Sequence, residues 1–319
     1  MDIYFYETIR AETEILKSLL GNDFTYDFTL LAVHEAGHTE PPARLISIRT
    51  QSIIPGPWWG KIDGVLSRST GFDHLIAYAA RLDKPLPLGY LDEYASRAVA
   101  EHAIMLAMNL LKKLPQQLRQ FPPFDREDLT GSECEGRNLL VVGVGRIGSE
   151  IVKVAKGLGF VVRGVDIVQD KSGVAYVSKE EGLAWADIVV CAMNLTEKNR
   201  AYFNSDLFPT VKKGCIFVNI ARGELSPLPD LERALGDGHL GGLGLDVFEN
   251  EGALAAAMHD TKSTSDPQLD LVKQILAYPN VLLTPHNAFN SVEAVRRKCE
   301  MSARQIRHFF KHRDFIWKV

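Results

Sequence analysis

The sequence is poor in cysteine, and its few cysteines are scattered. It has four, none of them in a C-x-x-C pair, which argues against a zinc ribbon or a disulfide framework and favours a reducing cytosol. They are Cys134, Cys191, Cys215 and Cys299. No apolar run reaches membrane-spanning length, since the best candidate, residues 102–111, is short and is followed by two lysines. The first ten residues carry acidic side chains early and lack a long apolar stretch, so we expect a cytoplasmic protein without a signal peptide.

An excess of positive charge is also absent. The formal net charge is −4, which gives no basic footprint for nucleic acid. The composition is 46% apolar and 24% charged, the balance of an ordinary globular protein. At 319 residues the chain exceeds the usual size of a single core, so we expect two domains.

The most informative stretch is residues 137–166. A short apolar run leads into the pattern G-x-G-x-x-G, formed by Gly143, Gly145 and Gly148. Apolar residues at helical spacing follow, then a second apolar run that ends at Asp166. A lone glycine pattern is weak evidence, but the strand before it, the helix after it and the acidic residue complete the dinucleotide-binding fingerprint.

Each residue of the fingerprint has a physical role. Gly143 permits a tight turn, Gly145 lets the backbone approach a pyrophosphate, and Gly148 lets helix and strand pack closely. The phosphates would lie at the helix N-terminus, where amide N–H groups lack helical partners. Asp166 would accept hydrogen bonds from the ribose and repel a 2′-phosphate, which favours NAD over NADP. The alternative is a glycine-tolerant turn that binds no ligand.

Further strand and helix patterns follow the fingerprint and predict a doubly wound sheet. Polar residues stand where its strands end, and ligands of open α/β sheets bind outside the carboxyl ends of the strands. These residues are Asp166, Asn194, Arg222, Glu251 and His286. We therefore expect them to converge on one crevice, although they are far apart in the sequence.

Three of these residues form a consistent set beside a nicotinamide. Hydride transfer to a ketone leaves negative charge on oxygen, so a proton donor must lie within reach, and His286 is the only histidine among the strand ends. Glu251 is its candidate partner, since a carboxylate favours the charged imidazole. Arg222 would hold the carboxylate of a 2-keto acid. Taken singly, each has a structural alternative: a turn histidine, a loop acid and a strand-end salt bridge.

The first part of the chain alternates strand and helix patterns, which points to a second small parallel-sheet domain. A Ser/Thr/Gly turn around Thr70 and Gly71 lies between a strand and a helix, where backbone N–H groups can hold a carboxylate, although a simple βα turn is the more common explanation. A long helix is predicted over residues 94–114, ended by Pro115. Residues 115–136 are predicted to be a turn-rich linker.

Residues 34–38 match the zinc-peptidase pattern H-E-x-x-H, with His34, Glu35 and His38. The chemistry of that pattern requires a helix, so that both histidines project from one face. Here the segment follows a β-rich run, contains Gly37 and leads into two prolines. We therefore predict a polar surface loop and no metal site.

Four motifs together resemble the D-2-hydroxyacid dehydrogenase family. They are the glycine turn with Asp166, V-N-I-A-R-G at 218–223, G-L-D-V-F-E at 244–249 and T-P-H at 284–286. Within that family, Y-A-S-R-A-V-A-E-H at 94–102 and T-P-H-N-A-F at 284–289 are most similar to the D-lactate dehydrogenase branch. The resemblance implies two doubly wound, Rossmann-like α/β domains, with the NAD domain inserted into a discontinuous substrate domain. The expected bounds are 1–97 with 291–319 for the substrate domain and 98–290 for the NAD domain.

The resemblance also implies functional residues and partners. The catalytic trio is Arg222, Glu251 and His286, and the residues expected at the substrate are Thr70, Gly71, Tyr94 and Phe289. The residues expected at NAD are Gly143, Gly145, Arg146, Ile147, Gly148, Asp166, Asn194, Asn199, Ile220 and Asp246. The expected substrate is a small, pyruvate-like 2-keto acid. The expected assembly is a homodimer, formed in part by the helix containing residues 99–111.

The sequence also departs from the family pattern. Asn194 stands where the family usually has proline, and the loop over residues 34–42 is unusual. Two other classes of function stay open at this point. One is a non-enzymatic NAD sensor similar to the corepressors built on this fold, and the more remote one is the zinc peptidase.

Overall fold

The computed structural model describes residues 1–82, 84–259 and 266–319. It forms two compact units, one made of Met1–Ala95 with Asn290–Val319 and the other of Ser96–Phe289. Each unit is built around a parallel β-sheet with helices against it. The fold class expected from the sequence, two doubly wound α/β domains, is therefore confirmed.

The first unit has a five-stranded sheet in the order β2-β1-β3-β4-β5, all parallel. Its strands are β1 (Ile3–Phe5), β2 (Tyr26–Phe28), β3 (Leu45–Ile48), β4 (Gly64–Ser67) and β5 (Leu88–Gly89). Its helices are α1 (Arg10–Leu20), α2 (Asp73–Ala79) and the long C-terminal α10 (Val292–His312). Strands β3 and β4 are buried along their whole length, as a parallel sheet covered on both faces requires.

The second unit has a seven-stranded parallel sheet in the order β12-β11-β10-β9-β6-β7-β8. Its strands are β6 (Asn138–Val142), β7 (Val161–Val165), β8 (Ala175–Tyr176), β9 (Ile188–Cys191), β10 (Cys215–Asn219), β11 (Leu240–Leu245) and β12 (Val281–Leu283). Its helices are α3 (Ser96–Leu111), α4 (Leu114–Gln120), α5 (Arg146–Gly157), α6 (Lys179–Trp185), α7 (Leu228–Gly236), α8 (Glu251–His259) and α9 (Pro267–Ala277).

The strand order of the second sheet reverses at β6. The chain moves outward from β6 to β7 and β8, then returns to lay β9 against the other side of β6. A crevice opens at such a switch point, outside the carboxyl ends of the strands. The glycine turn directly follows β6, so the fold places the fingerprint at the position where dinucleotides bind.

The prediction that Pro115 ends a long helix is wrong in detail. Helix α3 ends at Leu111, Lys113 takes the left-handed conformation with φ of +53°, and α4 begins at Leu114. Proline is tolerated in the first helical turn because its missing N–H would have no helical partner there. Pro115 therefore helps to start α4, and the linker prediction for residues 115–136 fails over its first six residues.

Neither of the two longest helices has membrane-spanning character. Helix α10 has 21 residues but is rich in arginine and lysine, and α3 has only 16. Within the described part of the chain, no helix is both long and apolar enough to cross a membrane.

Candidate active site

The glycine turn joins β6 to α5, and two of its glycines are fixed by close backbone packing. Gly143 has φ of +94°, and a Cβ there would lie 2.6 Å from the backbone nitrogen of Met193. A Cβ on Gly148 would lie 2.0 Å from the carbonyl oxygen of Gly143. Gly145 is the N-cap residue of α5, and a Cβ there would meet nothing within 4 Å. The space beside Gly145 therefore fits a phosphate group at the positive end of the helix.

Asp166 follows β7 and ties that strand to the glycine turn. Its Oδ2 accepts a hydrogen bond from the Val144 N–H at 2.5 Å, and its Oδ1 accepts one from the Val168 N–H at 2.9 Å. A carboxylate offers about four acceptor positions, so two are left for ribose hydroxyls. The next side chain, Ile167, is fully exposed.

The loop after β9 closes on itself. The Asn199 Oδ1 accepts from the Thr196 N–H at 2.7 Å, and its Nδ2 donates to the Asn194 carbonyl at 2.8 Å. Ile220 follows β10 and is buried. Arg146 and Ile147 form the start of α5. The five predicted NAD residues of this paragraph thus lie beyond the carboxyl ends of β6, β9 and β10. They are Arg146, Ile147, Asn194, Asn199 and Ile220, and their contacts with NAD stay predictions.

Arg222 lies in a turn that a buried asparagine holds in place. The Asn219 Nδ2 donates to the Arg222 carbonyl and to Ser226 Oγ, both at 2.8 Å, and its Oδ1 accepts from the Ala221 N–H at 2.9 Å. A Cβ on Gly223 would lie 2.1 Å from the carbonyl carbon of Phe248. Only glycine therefore allows the Arg222 turn to lie directly against the segment that leads to Glu251.

Glu251 and His286 form a direct contact. Glu251 is the first residue of α8, and its Oε1 accepts a hydrogen bond from the Phe248 N–H at 3.1 Å. Its Oε2 lies 2.6 Å from the His286 Nδ1. The side chains keep 22% and 33% of their exposure, so both remain reachable by a small molecule. The contact with Glu251 engages Nδ1 of the ring and does not involve Nε2.

Asp246 holds the turn on which His286 lies. Its side chain is almost completely buried, its Oδ1 accepts from the Thr284 hydroxyl at 2.5 Å and from the Asn287 N–H at 2.9 Å, and its Oδ2 accepts from the Ala288 N–H at 2.9 Å. The contact of Asp246 with NAD expected from the sequence stays a prediction. The contacts of its carboxylate are with the protein and fix both flanks of His286.

Three of the expected substrate residues, Thr70, Gly71 and Tyr94, follow strands of the first unit, and the fourth, Phe289, is in the second unit. The Thr70 hydroxyl donates to the Asp92 carbonyl at 2.7 Å, and the Ser69 hydroxyl donates to the Gly71 carbonyl at 2.8 Å. Tyr94 is 6% exposed, and its carbonyl accepts from the Arg297 Nε at 2.8 Å. Phe289, the last residue of the second unit, is half-buried. Their substrate contacts stay predictions.

The H-E-x-x-H segment is a turn and not a helix, with Gly37 at φ of +69°. His38 Nδ1 lies 2.7 Å from the Tyr6 hydroxyl, His34 Nδ1 accepts from the Ile53 N–H at 3.3 Å, and Glu35 Oε2 accepts from the Ala32 N–H at 2.9 Å. The three side chains therefore serve different partners. Across residues 1–82, 84–259 and 266–319, no group of three or more possible metal ligands is present.

His102 lies on α3, and burial lowers its pKa, against the opposing effect of the Asp246 charge. The ordinary pKa of a histidine is near 6.5. When the pH falls below that value, His102 takes up a proton in the unfolded chain but not in the folded chain, so the free energy of unfolding decreases. We expect His102→Gln, which cannot titrate, to lose less unfolding free energy than the wild type between pH 7 and about pH 5. Calorimetry of both proteins across this range measures the difference, and parallel curves would contradict it.

The second unit thus has an open helix N-terminus after the glycine turn, an acid at the end of β7 and a Glu–His pair at the same sheet edge. These features are typical of a dinucleotide-dependent dehydrogenase. The family model for the NAD-binding domain of D-isomer specific 2-hydroxyacid dehydrogenases matches residues 103–288. The chain belongs to this family of NAD-dependent oxidoreductases, so the enzyme class and the cofactor expected from the sequence are confirmed.

Individual relatives agree with this assignment. The chain is 34% identical to a D-lactate dehydrogenase of Streptococcus pyogenes over 65% of its own length and 64% of that relative, slightly less than two thirds. It is 32% identical to a D-lactate dehydrogenase of Streptococcus agalactiae, over 75% of this chain and 73% of that one. A D-lactate dehydrogenase of Aquifex aeolicus, solved with NAD and lactic acid, has the same fold, with a TM-score of 0.85, 24% identity and 99% of each chain covered.

Proposed function

We propose that this protein reduces a small, pyruvate-like 2-keto acid to the D-2-hydroxy acid, with His286 as the proton donor. The observation that carries the proposal is the 2.6 Å contact between Glu251 Oε2 and His286 Nδ1, on an NAD-binding sheet. Reduced nicotinamide, when bound, supplies the hydride that C2 of the keto acid receives. The protein residues then have two tasks: to bind the carboxylate of the substrate and to donate one proton to its oxygen.

The proton comes from the His286 Nε2. The Glu251 carboxylate stabilises the charged imidazole and fixes its ring, so that Nε2 points away from the carboxylate. As negative charge develops on the substrate oxygen, Nε2 donates its proton and the pair relaxes to a neutral histidine beside a carboxylate. The side chain keeps 33% of its exposure, which lets solvent return the proton after each turnover.

The carboxylate of the substrate needs a cation and N–H donors. Arg222 offers a guanidinium, whose fork of donors matches a carboxylate, in a turn that Asn219 and Gly223 keep beside the Glu251 segment. The family resemblance adds the backbone N–H groups of Thr70 and Gly71. It also assigns Tyr94 and Phe289 to the substrate side chain, and two aromatic residues there suit a group as small as methyl.

The direct test is NADH oxidation with pyruvate, phenylpyruvate, 2-ketoisocaproate, hydroxypyruvate and glyoxylate. We expect the highest kcat/KM with the smallest side chains and a D-configured product, identified by chiral chromatography. A preference for phenylpyruvate would overturn the size assignment but keep the reaction. No turnover with any of the five would contradict the proposed activity and favour the NAD-sensing alternative.

Removing the charge of Asp166 is expected to erase the preference for NADH over NADPH. One hydrogen bond to a charged group contributes about 1.5–3 kcal/mol, so the selectivity ratio should fall roughly 10- to 100-fold. Asp166→Asn is a sharper variant than Asp166→Ala, because its amide oxygen can still accept from the Val144 or Val168 N–H that the carboxylate holds. Fluorescence titration with both cofactors measures the ratio, and unchanged selectivity would remove Asp166 from the argument.

We also propose that the protein acts as a homodimer in the cytoplasm. An apolar groove between α3 and α5 supports a second copy as the occupant, because it exposes large apolar side chains, including Met105 and Leu158. We expect sedimentation equilibrium to give twice the chain mass for the wild type and a lower mass for Met105→Asp. A monomeric wild type would contradict the proposal. The free cysteines agree with a reducing compartment.

A further inference from the structure

A buried chain of hydrogen bonds lies beneath the turn that carries His286. At its centre is the Asp246 carboxylate, which is 1% exposed. It accepts hydrogen bonds from both sides of His286: from the Thr284 hydroxyl before it and from the Asn287 and Ala288 N–H groups after it. The orientation of one carboxylate therefore sets where the proposed proton donor lies.

The backbone of His286 depends on this support. Its φ is +49°, in the left-handed region that non-glycine residues adopt only at some cost. Pro285 has no N–H, and the His286 N–H closes a tight turn on the Thr284 carbonyl at 3.0 Å. Residues in such conformations persist when their surroundings over-determine them. Here the contacts that do so come from Asp246.

The direction of the hydrogen bonds brings in one more residue. The His102 Nε2 lies 3.0 Å from the Thr284 Oγ1 and 3.6 Å from the Asp246 Oδ1. A threonine hydroxyl has a single proton, and the 2.5 Å contact assigns that proton to Asp246. The Thr284 oxygen must then accept from His102, so Nε2 carries a hydrogen. The chain of donors runs from His102 to Thr284 to Asp246.

We propose that His102 is a positioning residue for the reaction, whose Nε2–H fixes Thr284 and Asp246 and thereby the turn that presents His286. The inference rests on the proposed function, since it assumes His286 as the proton donor. His102 is on α3, a helix that packs against β10, β11 and β12. The turn that carries His286 is therefore held by a hydrogen bond from α3, a helix that is distant from it in sequence.

The electrostatics favour a donor role over an ion pair. Burial lowers the pKa of His102, so a neutral imidazole is expected at pH 7, and the Asp246 charge is the opposing effect. A neutral Nε2–H tautomer satisfies Thr284 without placing a cation beside the catalytic turn.

Four variants and a control test the role. His102→Leu and Thr284→Val remove the donor and the hydroxyl with little change in size, and His102→Gln and Thr284→Ser restore them. Asn280→Ala is the matched control, because the Asn280 Nδ2 also ties α3 to the β11–β12 region, donating to the Leu110 carbonyl at 3.3 Å and the Gly241 carbonyl at 2.9 Å. The measurements are kcat, KM for each substrate and NADH affinity by fluorescence.

We expect His102→Leu and Thr284→Val to lower kcat roughly 10- to 100-fold, because misplacement of a reacting group by about 1 Å costs that much. NADH affinity should not change, so the loss should appear in kcat alone. His102→Gln and Thr284→Ser should recover most of kcat, and Asn280→Ala should lower thermal stability only.

Two results would overturn the positioning role while leaving the proposed function intact. One is wild-type kcat in folded His102→Leu alongside an inactive His286→Asn. The other is an equal loss of kcat in His102→Leu, His102→Gln and Asn280→Ala. That result would mean that the variants act through the general stability of α3 and not through the His102 Nε2–H. If His286→Asn itself keeps wild-type turnover, the proton-donor assignment fails first, and the positioning role fails with it.

Discussion

Replacement of His286 by asparagine is expected to lower kcat roughly 10²- to 10⁴-fold, the range that one general acid contributes. Asparagine suits the test because it tolerates the left-handed backbone found at this position, with φ of +49°, better than other polar residues. NADH affinity should stay at the wild-type level, since the glycine turn and Asp166 lie on other strands. Steady-state kinetics and fluorescence titration separate the two quantities.

Glu251→Gln is the matched variant for this prediction. Glutamine can still accept from the Phe248 N–H, but it no longer stabilises a charged imidazole. We expect a loss of kcat that is smaller than the loss in His286→Asn. A Glu251→Gln enzyme with wild-type kcat would show that the 2.6 Å contact is not needed for proton transfer.

Glu12→Gln is expected to lower the free energy of unfolding of the first unit by about 3–5 kcal/mol, because it leaves buried cations without their carboxylate. Glu12 and Lys298 are 0% exposed and in direct contact, and the Arg68 Nη2 lies 3.8 Å from the Glu12 Oε2. Burial already lowers the pKa of Arg68 to about 10, which marks how strongly this interior disfavours charge. The double variant Glu12→Gln with Lys298→Met should recover part of the loss.

Tryptophan fluorescence during urea unfolding is a suitable measurement, since three of the four tryptophans, Trp58, Trp59 and Trp317, lie in the first unit. Lys17→Met is the control on the same helix. Its exposed ion pair with Glu14, at 3.7 Å, should contribute less than about 1 kcal/mol. Equal effects of Glu12→Gln and Lys17→Met would contradict the role given to burial.

The parts of the fold and site that sequence predicts well are those with local causes. The glycine turn needs Gly143 and Gly148 because of backbone packing within a few residues or with the adjacent strand, so the pattern is readable in one stretch. The strand-end residues Arg222, Glu251 and His286 follow from the rule that parallel strands share a carboxyl edge. That rule places them at one edge but does not supply the distance between any two.

What sequence could not supply are contacts between residues far apart in the chain. His102 and Thr284 are separated by 182 positions, and no local pattern announces that they meet. The burial of Asp246 against the N–H groups of residues 287–288 likewise joins parts of the chain that are far apart in sequence. The start of α4 at Leu114 is not evident from the sequence, because Pro115 ends a helix at its interior but is equally compatible with a first helical turn.

The close packing of the glycine turn has a consequence for how this enzyme could be altered. Because Cβ atoms at Gly143 and Gly148 would collide with backbone, the phosphate end of the cofactor site offers little freedom for redesign. The segment after Asp166 differs, since Ile167 is fully exposed and Val168 is 56% exposed. A change of cofactor preference is thus confined to a few surface positions, which makes the specificity of the enzyme separable from its ability to bind a dinucleotide at all.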